Sequence, residues 1–232
     1  MDATFDSGRQ HDGAQMTTPP REGEPGKRTA LAALRDAIVA GDMAPGQRLV
    51  ESELAETYGV TRASVRAALI ELTSEGLVER IPNRGARVRV VTVAEAVAIT
   101  ECRMVLEGLC AAKAAEHATD TQLDTLTALG DQLRQAVADG EPVKYSELNR
   151  QLHQQILDIA GQPVAADLLE RLRGQIVRHQ FRLALRPGRP QTSLPEHLAI
   201  IDAVVARDPD AAEAAARAHL RSVIAALRTA ER

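Results

Sequence analysis

Aromatic residues are nearly missing from this 232-residue chain: two Tyr, two Phe and no Trp make up 2% of it. A core without large rings must be built from Leu, Ile, Val and Ala, a palette that suits closely packed helices better than a β-sandwich. Cysteine is as scarce. Cys102 and Cys110 stand in one helix-like stretch, where a rise of 1.5 Å per residue would separate them by about 12 Å, too far for a disulfide. No run of 18 apolar residues occurs, which excludes a transmembrane helix. The polar, acidic residues 1–25 also lack the apolar stretch of a signal peptide. These absences lead us to expect a reduced, soluble, cytoplasmic protein without a membrane partner.

What is present has an ordinary globular balance, 44% hydrophobic and 26% charged, and a length that allows one or two domains. The net charge of −4 looks unsuited to nucleic acid until it is divided along the chain. Residues 1–26 and 93–232 are both net negative. Residues 27–92 carry ten Lys/Arg against eight Asp/Glu and are the only positive segment.

Residues 1–26 are rich in Gly, Pro, Thr, Asp and Gln without periodicity and read as a disordered tail. Leu31, Leu34 and Ile38 then mark a helix over 28–40, and a turn at Ala44-Pro45-Gly46 leads to a short extended piece at 48–50. A brief helix over 51–58 stops at Gly59; Thr61 caps the next, which runs to Glu75. Two β-runs, 77–81 and 86–91, flank Pro82-Asn83-Arg84-Gly85 as a hairpin. Everything beyond Thr92 reads as helix: 92–117 opened by a Thr92/Glu95 capping box, 120–139, 142–160, 163–185, 193–206 opened by Ser193/Glu196, and 209–228. The expected fold is mainly α, with a winged helix-turn-helix domain over 27–91 and an all-helical bundle over 92–229.

The helix that starts at Thr61 sets Val65, Ala68, Leu69 and Leu72 on an apolar stripe and crowds Thr61, Arg62, Ser64 and Arg66 into its first turns. Hydroxyls, guanidinia and free N–H groups at a helix N-terminus can meet phosphates and base edges, and a planar guanidinium can grip guanine O6 and N7 together. The hairpin adds Arg80, Arg84, Arg87 and Arg89, and its narrow Asn83-Arg84-Gly85 tip suits a minor groove. A small structural three-helix domain with a solvated basic face is the competing interpretation, which the two arginine clusters disfavour.

In the bundle, Asn149 and His153 fall at i and i+4 and leave one helix in the same direction. His197 shares a stripe with Ile200, Ile201 and Val204, and His219 shares a face with Ala215, Ala216, Val223 and Ala226. Each alone would pass for a core histidine with a hydrogen-bond partner. Three inward imidazoles would all be satisfied by one divalent cation. His179, beside Arg178 and Arg182, reads as part of a solvated face. No Glu or Asp lies at helical spacing facing His153.

The stretch 34–90 carries AETYGVTRASVRAAL, EGLV and PNRGARV in order and resembles the GntR family of bacterial transcription regulators. ECRMVLEGLCAAKAA, NRQLHQQILDIAGQPV and LPEHLAIIDAVVARDPDAAEAAARAHL are similar to the ligand-binding (FCD) half of its FadR-type branch, so the likeness spans nearly all of 28–228. It implies DNA contacts from Thr61, Arg62, Ser64 and Arg66, with Arg84 and Gly85 at the wing. It also implies a divalent metal, Zn or similar, on His153, His197 and His219, with Asn149 standing where the family has Asp. An amide oxygen ligates without charge, so the metal should be held less tightly. Arg103 matches the Arg of the family's RxxLE pattern and is implied to pair with an anionic effector; an ion pair with Glu107 at i+4 is the alternative.

Together these features predict a homodimeric transcription regulator, a repressor rather than an enzyme, on a palindromic operator in double-stranded DNA. A small organic acid in a metal-containing helical pocket would control it. Two other possibilities stay open at this point: a hydrolase-like metalloenzyme using the three histidines, and a constitutive DNA-binding protein with a non-functional pocket.

Overall fold

Apolar positions three and four residues apart, punctuated by Gly, Pro and hydroxyl caps, become helices almost throughout the computed structural model, which describes residues 22–82, 84–184 and 186–229. Of the expected tail, residues 1–21 lie outside the described residues, as do Asn83 and Leu185, which the sequence reading placed at a hairpin tip and a helix end.

The N-terminal part comprises α1 (Gly23–Ala40), β1 (Arg48–Leu49), α2 (Glu51–Tyr58), α3 (Arg62–Ser74), β2 (Val78–Ile81) and β3 (Gly85–Val88). Helix α1 starts earlier than the expected residue 28. Pro25 falls in its first turn, where N–H groups have no intrahelical acceptor and a proline is tolerated. Ala30, Leu34 and Ile38 of α1 bury against Val65, Ala68, Leu69 and Leu72 of α3. Gly59 closes α2 with φ of 60°, a left-handed conformation that glycine adopts without strain, and so turns the chain into α3. The Thr61 hydroxyl caps α3 by accepting from the Ser64 N–H at 3.2 Å. The expected hairpin is present, with Val78 opposite Val88 and Ile81 opposite Gly85. The short extended piece is a third strand: the order is β1-β3-β2, antiparallel, with Arg48 opposite Arg87.

The bundle comprises α4 (Val93–His117), α5 (Asp120–Ala138), α6 (Pro142–Ala160), α7 (Pro163–Ala184), α8 (Arg189–Val205) and α9 (Pro209–Thr229). Leu126, Leu133, Leu152, Leu169 and Ile200 centre its core. Two helix caps differ from the sequence reading. Thr92 accepts from the Glu95 N–H, but the Glu95 carboxylate pairs with Arg89 instead of closing a capping box; the complete box is Thr119 with Gln122. Helix α8 begins at Arg189, with Pro190 in the first turn, so Ser193 lies inside the helix with its hydroxyl turned to the interior. Both thiols are free, Cys102 exposed and Cys110 buried. Among the described residues, no helix is long and apolar enough to cross a membrane.

Helix α7 joins the two parts. Gln175 Nε2 donates to the Glu75 carbonyl oxygen at 2.8 Å, and His179 Nε2 donates to that of Val91 at 2.8 Å. His179, expected on a solvated face, is therefore half-buried against the linker between the domains.

Candidate functional site

The first site is the exposed face of α3 and the wing. Arg62 and Arg66 point to solvent, and Arg66 makes a two-pronged pair with Glu51 of α2, Nη2 to Oε2 at 2.6 Å and Nε to Oε1 at 3.0 Å. This pair holds Glu51 below the usual carboxylate range. Thr61 and Ser64 differ from the arginines. Their hydroxyl oxygens lie 3.0 Å apart and Ser64 is buried, so Ser64 serves the start of α3 and not the open face. On the wing, Arg87 is paired with Glu79 at 2.7 Å and Arg89 with Glu95, whereas Arg80 and Arg84 are exposed and make no ion pair among the described residues. Gly85 has φ of 85°, which lets the hairpin turn tightly behind Arg84.

The second site lies inside the bundle. The ligand atoms of His153 (α6), His197 (α8) and His219 (α9) all fall within 4.8 Å of one another. His197 Nε2 and His219 Nε2 are 3.3 Å apart. Each ring is held from behind through Nδ1: His153 by Glu107 of α4 at 3.2 Å, His197 by the Tyr145 hydroxyl at 2.8 Å, and His219 by Glu196 at 2.8 Å. A carboxylate can only accept, so His153 and His219 donate from Nδ1 and turn Nε2 inward. Asn149, one turn before His153, has a buried Oδ1 without a hydrogen-bond partner. Three inward nitrogens, two of them on rings oriented by carboxylates, plus an unpaired amide oxygen in the same cavity, fit a divalent metal that accepts imidazole.

The three histidines, Asn149 and Tyr145 line a cavity of about 440 Å³, together with Arg103, Arg173, Arg189, Val177 and Val223. Of the two alternatives for Arg103, the ion pair is present: its Nε and Nη2 donate to Glu107 Oε1 at 3.0 and 2.8 Å, both residues buried. Yet Arg103 Nη1 is buried without a partner. Arg173 Nη2 approaches the same Glu107 oxygen to 3.2 Å. Burial alone would raise the Glu107 carboxyl, but the Arg103 and Arg173 guanidinia and His153 hold it well below its ordinary range. Burial lowers His153 to about 4 and carries His197 well below its ordinary value, and it pushes Tyr145 up to about 12. Both imidazoles are therefore neutral at pH 7.

A pH dependence of stability follows. The unfolded chain binds a proton at His153 near pH 6.5, whereas the folded chain does so only near 4, so stability is complete above 6.5 and declines as pH falls toward 4. For His153 the loss is at most on the order of 3 kcal/mol. Urea unfolding in chelator at pH 7.5, 6 and 4.5 should show it, and His153→Gln should flatten the slope. Constant stability over this range would contradict neutral burial.

Sequence reading brought out the three histidines and Asn149 but missed the residues behind them. It found no acidic side chain facing His153 because Glu107 arrives from another helix. Glu196 was read as part of a capping box, and Tyr145, Arg173 and Arg189 carried no local signal at all.

A basic reading helix and wing, joined to a bundle with an imidazole- and guanidinium-lined cavity, define a DNA-binding protein with a ligand-sensing domain. Residues 27–88 match the family described as bacterial regulatory proteins, gntR family, and residues 98–222 match the FCD domain. The chain belongs to the gntR family of bacterial regulatory proteins, in its FadR-type branch, and is a DNA-binding transcription regulator with a ligand-binding C-terminal domain. It is 31% identical over 195 residues to the HTH-type transcriptional repressor RspR of Escherichia coli K12, covering 84% of this chain and 86% of that protein. It is 32% identical over 221 residues to the repressor NanR of Cronobacter sakazakii, covering 83% and 81%. Among solved structures, E. coli McbR/YncC has the same fold, with a TM-score of 0.73 at 24% identity over 89% of this chain and 98% of that one. A GntR regulator from Rhodococcus sp. RHA1 gives a TM-score of 0.67 at 25% identity over 89% and 99%.

Proposed function

We propose that this protein is a cytoplasmic, homodimeric repressor whose grip on a palindromic operator is set by a small anionic effector in a metal-bearing cavity, and that the cavity senses rather than catalyses. The observation that carries this reading is the three-histidine cavity, with its guanidinium wall, in the domain attached to the reading head. Residues 27–91 would read DNA and residues 92–229 would sense and dimerise. Arg62, Arg66 and Thr61 would contact DNA from α3, Arg84 and Gly85 would approach a groove from the wing, and Ser64 would act through the α3 cap. His153, His197, His219 and Asn149 would hold the metal, which would supply open positions for an acidic ligand; Arg103 would meet the anion. The relatives named as repressors support the sign of regulation.

An exposed apolar stripe of Cys102, Val105 and Leu109 on α4 supports pairing of two copies. Two-fold symmetry of the protein is mirrored in a palindromic site. Helix α7 supplies a route between the sites: Arg173 and Val177 line the cavity, and Gln175 and His179 between and beyond them hold the reading head and linker. An effector can shift the heads only if it binds one arrangement better than the other.

The test selects an operator from random duplexes, then measures its affinity, the mass of the complex and the metal content. We expect two chains per operator and bound metal that His197→Ala loses, together with metal-dependent thermal stabilisation. One chain per duplex, or equal metal in wild type and variant, would overturn the corresponding part.

A further inference from the structure

Helix α3 carries two apolar stripes, and packing accounts for only one of them. Val65, Ala68, Leu69 and Leu72 close the core of the N-terminal part. Ala63, Ala67 and Ile70 recur at i, i+4 and i+7 and share the opposite, outward face. Ala63 is exposed, Ala67 is half-buried and Ile70 keeps 52% of its surface in solvent. Arg62 and Arg66 run along one edge of this outward stripe, so the charge that suits DNA lies beside it. The same face is short of hydrogen-bond acceptors. Over residues 62–70 the polar side chains are Arg62 and Arg66, which only donate, and Ser64, which is buried. The Thr61 hydroxyl is committed to the α3 cap, Glu51 has both oxygens on Arg66, and Glu71 is held by Lys27 at 2.7 Å. In the major groove adenine N6 and cytosine N4 are donors, and such a face gives them no partner. Guanine presents two acceptors there, and thymine presents an acceptor and a methyl group.

We propose that Ala63 and Ile70 read thymine methyl groups in the major groove, beside the guanine that Arg66 grips. This rests on α3 being the helix that reads the operator, and adds which bases its apolar face selects. Ala63 and Arg66 are three residues apart, a rise of about 4.5 Å, close to the spacing of stacked bases, so they meet neighbouring base pairs. Ile70 lies about 10 Å along the helix from Ala63 and meets a second thymine some three base pairs away. Each contact removes apolar surface of both partners from water. The solvent-facing Ile70 thereby gains a cover that the fold does not supply.

The experiment uses the full-length chain and an operator selected from random duplexes. Each thymine is replaced singly by deoxyuridine, which lacks the 5-methyl group and keeps the same hydrogen-bonding edges. The guanine of Arg66 is the position at which Arg66→Ala relaxes the preference. We expect deoxyuridine beside that guanine to weaken binding roughly three- to tenfold, and deoxyuridine outside the half-sites to change nothing. Ala63→Gly should bind the thymine and deoxyuridine forms of that position alike. Ile70→Ala should do so at the second thymine while keeping the first discrimination. Both side chains face solvent, and thermal unfolding checks that each variant is folded. Deoxyuridine tolerated at every thymine, half-sites without thymine beside the guanine, or discrimination unchanged in both variants overturns the proposal. If Arg66→Ala still relaxes specificity in that case, reading by α3 stands and only the apolar assignment falls. Selection that returns no preferred sequence removes both.

Discussion

Glu107→Gln should destabilise the protein by about 3–5 kcal/mol, the usual result of removing one partner from a buried charge cluster. The variant keeps the volume of the side chain and a hydrogen-bond acceptor but deletes the charge that holds Arg103, Arg173 and His153 together. Arg103 is buried as deeply as Glu107, and burial already lowers its affinity for a proton. Without Glu107 its guanidinium would face Arg173 uncompensated. Chemical unfolding of wild type and variant, both in chelator, measures the difference apart from any metal. A loss under about 1 kcal/mol would place Glu107 in the range of an exposed ion pair and would mean that other groups hold the cluster. The same variant should leave operator contacts on α3 untouched, so DNA affinity of the folded fraction separates stability from reading.

The second large effect concerns DNA. Arg66→Ala should weaken specific operator binding by about 1–3 kcal/mol, the range for loss of a guanidinium that grips a guanine edge. In the free protein Arg66 is held by Glu51, an exposed pair that contributes little to stability. That pairing fixes the guanidinium in one direction and is weak enough to be exchanged for a base. Two readouts distinguish roles: loss of a base contact relaxes specificity at one operator position, whereas loss of a phosphate contact weakens all sequences alike and lowers the salt dependence. Unchanged affinity in a folded Arg66→Ala protein would remove Arg66 from the reading face.

Much of the fold was legible in the sequence because its signals act over a few residues. Gly59 and Thr61 mark where α2 ends and α3 begins, since a left-handed turn and a hydroxyl cap are local demands. The hairpin register follows from the turn and from buried Val88 alternating with Arg87 and Arg89 opposite Val78. Misjudged starts were also local, and have local causes: a proline in the first turn of α1 and of α8 sits comfortably inside a helix where it reads as a break. By itself, then, the sequence determined the helical class, the winged reading head with Arg62, Arg66 and Arg84, and three histidines on inward faces. Tertiary structure alone decided that β1 pairs with β3, that Ser64 turns inward and that α7 bridges cavity and reading head. It also decided that Glu107, Tyr145 and Glu196 stand behind the three imidazoles. The physical reason is that periodicity fixes which face of a helix is buried, while the identity of a buried side chain's partner depends on how separate helices are laid together. In this cavity that packing sets every charge balance.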